Sequence, residues 1–169
     1  MIRFYVLLIL CVCTLTGMAQ TKTVKKTKTV KTVKKTKTTV SKVSTSPKTY
    51  TGRVIAVTSG GGFTGRSSSY YLQDDGRLYG KRSTEATYAL LAKQTPDNTK
   101  RVFLSLEDRC QIKTTKFDFP GNTYKAVGWR KGKEQYSVTW GNPTDSVPAN
   151  YEKFYSSFMT TIPASMRLK

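Results

Sequence analysis

Apolar positions fall into three regimes along the 169 residues. Residues 4–15, from Phe4 to Leu15, are almost continuously apolar. From Gln20 to about Lys48 valine is the only hydrophobic residue, and it is scattered among Lys and Thr. From Tyr50 onward apolar and polar positions alternate in short runs or recur at helical spacing. Strands are predicted at Arg53–Thr58, Ser67–Gln73 and Arg77–Lys81, the last two joined by an Asp74-Asp75-Gly76 hairpin turn. A fourth strand is expected over Thr87–Lys93, because a helix start follows at once: Thr95 is a cap candidate, Pro96 suits the first helical position and Asp97 lies in the first turn. Val102, Phe103, Leu106 and Cys110 then share one helical face. Lys113–Phe119 leads to Phe119-Pro120-Gly121-Asn122, where Pro and Gly take the central positions of a type II turn. Strands near 123–130 and 134–140 follow, with Tyr136, Val138 and Trp140 alternating with polar residues. A closing helix opens at Pro148 and repeats Tyr151, Phe154, Tyr155, Phe158, Met159 and Ile162 at 3–4 spacing. Strands outnumbering two separated helices predict an α+β domain: a mainly antiparallel sheet with two helices packed on one face, preceded by a disordered basic tail.

The first regime has the three parts of a secretory signal: Arg3, the apolar run, then small Gly17 and Ala19. About twelve apolar residues are too few for the ~20 that span a bilayer. Cys11 follows Leu10 and Cys13 follows Val12, so neither sits in a lipoprotein context. The expectation is cleavage after Ala19 and an exported protein, periplasmic or extracellular, with Cys110 as its single remaining cysteine. A lone thiol forms no internal disulfide, so the domain, expected over 51–169, must be held by its core.

Charge changes the picture of the second regime. The formal net charge is +19, and residues 20–50 hold ten lysines and no acid. Residues 51–169 carry 18 Lys and Arg against 10 Asp and Glu, a net +8. The heptapeptide Thr-Val-Lys-Lys-Thr-Lys-Thr occurs at 23–29 and again at 32–38. Such a segment buries too little surface to offset its ordering entropy, and a disordered tail is expected over 20–50. Two readings stand side by side. The tail is a solubilising spacer, or it is a polycation arm in which Lys25, Lys26, Lys28, Lys31, Lys34, Lys35 and Lys37 meet acidic envelope polymers or lipid head groups. No aromatic interleaves with these lysines, so specific nucleic-acid recognition is not expected.

Candidate chemistry is mostly excluded. The sequence has no histidine, which removes Ser-His-Asp and Cys-His catalysis and HExxH zinc sites. Cys110 lies on an apolar helical face and reads as a buried, inert thiol. Asp74 and Asp75 suit a turn, and Glu107 and Asp108 are helix neighbours that point to different sides. No cofactor or metal is expected, and the protein reads as a non-enzymatic binding protein. Gly60–Ser67 imitates both GxGxxG and a P-loop, but each motif needs a helix to begin at the loop, and a strand is predicted there instead.

That loop is the remaining candidate site. Gly61, Gly62, Phe63, Thr64, Gly65 and Arg66 would present an aromatic and an arginine, both common interface anchors. Alternatively Phe63 folds back into the core. Partial exposure is the expectation, because a plain connection needs only about two residues. Ser59-Gly60-Gly61-Gly62-Phe63-Thr64-Gly65, a following strand and Asp75-Gly76 resemble the emfourin-type inhibitors of thermolysin-like metallopeptidases over about 25 residues. The extra glycine, the export signal and the Lys/Thr tail depart from that family's pattern. The resemblance implies a small protein that binds a peptidase, here an exported one. The chain is also similar to small exported proteins of Bacteroidetes-type bacteria, a likeness that implies no function.

Overall fold

A computed structural model describes residues 46–168. Residues 1–19, where a secretory signal is expected, lie outside these residues, as do nine of the ten lysines of residues 20–50, all but Lys48. Seven strands form one sheet in the order β4-β3-β2-β1-β6-β7-β5: β1 (Arg53–Gly61), β2 (Ser67–Gln73), β3 (Arg77–Arg82), β4 (Ala89–Lys93), β5 (Phe117–Phe119), β6 (Thr123–Lys131) and β7 (Glu134–Trp140). Two helices complete it, α1 (Pro96–Leu104) and α2 (Ala149–Thr160). Every strand pairing is antiparallel except that of β5 with β7. The fold is α+β, as the alternation predicts.

Both helices cover one face. Register places Leu78, Leu72, Ile55, Trp129 and Tyr136 in one row across five strands of that face. Phe103 of α1 and Tyr151, Phe154 and Phe158 of α2 close over it, with Leu106, Cys110 and Ile112 between the helices. Each large side chain removed from water here contributes about 1.5–3 kcal/mol. The α1 start matches its sequence signals: the Thr95 side chain accepts a hydrogen bond from the Asn98 N–H at 3.3 Å, with Pro96 and Asp97 in the first turn.

Four expectations are corrected. First, β1 runs past Thr58 to Gly61, because β2 and β6 close on it from both sides and override the weak strand propensity of Ser59-Gly60-Gly61. Second, α1 gives way at Ser105 to a π-helical turn, Ser105–Arg109, which still brings Phe103, Leu106 and Cys110 to the core. Third, Phe119–Asn122 is no type II turn, since Gly121 does not take the positive φ that turn requires. Strand β5 pairs with β7, so the connection to β6 crosses the end of β7. There a Cβ on Gly121 would lie 2.2 Å from the Gly141 carbonyl oxygen. Fourth, residues 46–50 belong with the domain rather than the tail. Pro47 is buried, the Arg130 guanidinium donates to its carbonyl, and the Tyr50 hydroxyl donates to Asp74.

Candidate functional site

The β1–β2 connection begins where two ladders end. A Cβ on Gly61 would lie 2.1 Å from the Asn122 carbonyl oxygen, so only glycine lets the neighbouring chain approach this closely. Gly61 is therefore a strand residue with a packing role, and the projecting turn is Gly62–Arg66. Its base is fixed at several points. The Gly61 N–H donates to Arg66 O at 3.1 Å, the Gly62 N–H to Asn122 O at 2.6 Å and the Gly65 N–H to Gly62 O at 3.1 Å. That last bond closes a four-residue turn with Phe63 and Thr64 at its centre. Gly65 has φ +59° and open space where a Cβ would point, so it serves the backbone conformation rather than packing.

The turn holds Phe63 at 107% relative exposure; Leu90, the next most exposed large apolar side chain among the described residues, has 58%. Phe63 thus does not fold back into the core. Thr64 and Arg66 are also exposed, and the Thr64 hydroxyl lies 3.4 Å from the Arg66 N–H it accepts from. Beside the turn is a hollow of about 380 Å³ lined by hydroxyl side chains of Ser67, Ser68, Ser83 and Thr84 together with Arg66 and Arg82. Arg82 is held by an ion pair to Glu85 at 2.7 Å. A β-strand, β2, follows the glycine run, so no helix begins at the loop and neither phosphate motif is formed.

The same end of the sheet is braced from the helix side. Glu152 of α2 accepts from Trp140 Nε1 at 2.6 Å and pairs with Lys125 at 3.1 Å. Lys125 also lies over the Tyr155 ring, 5.1 Å from its centroid. The Phe63 turn therefore stands on a fixed platform.

The other titratable candidates serve the fold. Glu107 accepts from Trp129 Nε1 at 2.7 Å and from Arg53 at 3.0 and 3.2 Å, while Asp108 is exposed. Asp74 accepts from the Arg53 N–H at 3.1 Å, and Asp75 accepts from Arg77 Nε at 2.7 Å. Burial, the hydrogen bond to Asp74 and that carboxylate's charge hold the Tyr50 phenol above the usual tyrosine range. Burial pushes the Cys110 thiol up to about 11, so it stays protonated and unreactive near neutral pH.

The polycation candidates Lys25, Lys26, Lys28, Lys31, Lys34, Lys35 and Lys37 lie outside the described residues. Among the described residues, no helix is long and apolar enough to cross a membrane. The reading of single elements misses a second concavity, on the helix-free face around Ala56, Gly128, Tyr71, Tyr88 and Arg130. Its signal is small residues at alternate positions, Ala56 and Thr58 on β1 and Ala126 and Gly128 on β6. No protein-family model matches this chain, and comparison with curated proteins yields no match to it.

Proposed function

We propose that this is an exported, non-enzymatic binding protein that docks on an exported peptidase and inhibits it through the Gly62–Arg66 turn. One observation carries the reading: a fully exposed phenylalanine on a turn fixed by hydrogen bonds to its own strands and to the neighbouring connection. Burying such a ring in a partner contributes roughly 1.5–3 kcal/mol, the scale of an interface hot spot. The fixed base lowers the ordering cost of association. Arg66 supplies a charged donor beside the ring, and the hydroxyl-lined hollow next to it receives polar groups of the partner. The absence of histidine from the sequence and the burial of Cys110 argue against histidine-dependent hydrolysis and thiol chemistry. The peptidase partner is suggested by the emfourin-type resemblance of Ser59–Gly65.

The test is inhibition of thermolysin-catalysed peptide hydrolysis by the mature chain and by Phe63→Ala. The proposal expects dose-dependent inhibition that weakens at least about tenfold in the variant. Absence of inhibition by the mature chain, or equal inhibition by both proteins, overturns it.

A further inference from the structure

We infer that the helix-free face of the sheet is a second binding site, a shallow hollow that takes an acidic polysaccharide. The hollow encloses about 620 Å³, within the range of ligand sites. Register explains why it exists. One row across this face runs Tyr79, Tyr71, Ala56, Gly128, Ser137 on β3, β2, β1, β6 and β7. Small residues on the two central strands leave a trough between a tyrosine wall and the β7 side. A Cβ on Gly128 would meet only the Ala56 Cβ at 3.7 Å and the Tyr136 carbonyl oxygen at 3.6 Å, so a side chain fits there and points into the trough.

The lining selects the ligand class. Lys48 and Arg130 are the charged residues that border the hollow, and no Asp or Glu lines it. Lys81 stands next to it, 4.9 Å from the ring centroid of Tyr88. A site with this balance attracts anions, and charge-assisted bonds from Arg and Lys to carboxylate or sulfate groups are the strong ones available. Gln135 and Ser137 on the β7 side add neutral donors and acceptors suited to sugar hydroxyls. The tyrosine wall argues against nucleobases. Tyr71 and Tyr88 meet edge to face at 80° with centroids 5.2 Å apart, and Lys81 covers the Tyr88 ring. Base stacking uses open, flat aromatic faces.

Charge also decides against the chain's own N-terminal segment as occupant. The described chain starts at Ser46, and Pro47 and Lys48 form one border of the hollow. The nine lysines of residues 20–45, a stretch without an acid, would be repelled by Lys48, Arg130 and Lys81. An acidic polymer, by contrast, is attracted by that segment and by the hollow together. The site is distinct from the Phe63 turn: Val54 and Ala56 line it along β1, whereas the turn leaves β1 beyond Gly61.

The test measures binding of a fluorescent heparin hexasaccharide to the mature chain at physiological salt. Gly128→Val fills the trough with a residue suited to a strand, and Gln135→Glu adds a carboxylate at an exposed position opposite Arg130. Both leave every tail lysine in place. Affinity is expected to fall about tenfold or more in each variant, with maltohexaose unbound. Should Gly128→Val fail to fold, Gln135→Glu alone decides. Undiminished heparin affinity in either folded variant assigns the adhesion to the tail and overturns the inference. Oligothymidylate that binds more tightly than heparin and is lost in the same variants assigns the hollow to nucleic acid and overturns it equally.

Discussion

On the covered face of the sheet, the row Leu78, Leu72, Ile55, Trp129 and Tyr136 meets two helices; on the open face, the next row is Tyr79, Tyr71, Ala56, Gly128 and Ser137. The same strands carry both. Large side chains on the first row hold the helices through burial, whereas small ones at the centre of the second leave space. The contrast is sharper between two phenylalanines. Phe103 is 1% exposed beneath the Arg53 guanidinium, and Phe63 is 107% exposed on a turn that holds it away from the core. Side-chain type alone therefore does not assign a role. Position in the register and the hydrogen bonding of the backbone do.

Substitutions break this comparison in a definite order. Phe103→Ala is expected to cost about 3–5 kcal/mol of unfolding free energy, measured by denaturant titration, because it opens a cavity between α1 and the sheet. Glu107→Ala should follow at about 1.5–3 kcal/mol, since it strands the Trp129 N–H and one side of Arg53; the figure is held down by the solvent exposure of Arg53. Thr95→Ala should cost about 1 kcal/mol by removing the cap on α1. The pH dependence has a definite sign. The folded state holds the Cys110 proton more tightly than an unfolded chain does, so stability declines as pH rises from the ordinary thiol value near 9.0 through about 11. Cys110→Ala should flatten that alkaline decline, and a decline identical to that of the native chain would contradict it.

Much of the fold is legible from period and caps. The two hairpin strands around Asp74-Asp75-Gly76 and the α2 stripe of Tyr151, Phe154 and Phe158 depend on local pattern, which sequence carries directly. What local pattern misses is set by partners distant in sequence. Gly60 and Gly61 look like loop residues until β2 and β6 flank them, and Pro120-Gly121 looks like the centre of a type II turn until β5 pairs with β7. Pro47 reads as tail because its hydrogen-bond partner, Arg130, is 83 residues away. The exposure of Phe63 follows from the glycines around it. The open-face hollow depends on Ala56 and Gly128 facing each other across two strands, a juxtaposition no single segment shows.

The smallest expected effect is the most direct test of the division between residues that hold the fold and the residue that leaves it. Phe63→Ala, compared with the native chain by chemical denaturation, should change the unfolding free energy by less than about 0.5 kcal/mol, as for a surface substitution. Gly61 and Gly65 keep the turn in place without the ring. A loss of about 3–5 kcal/mol, the value for a phenylalanine taken from a core, would contradict the account and remove the physical basis for a binding turn.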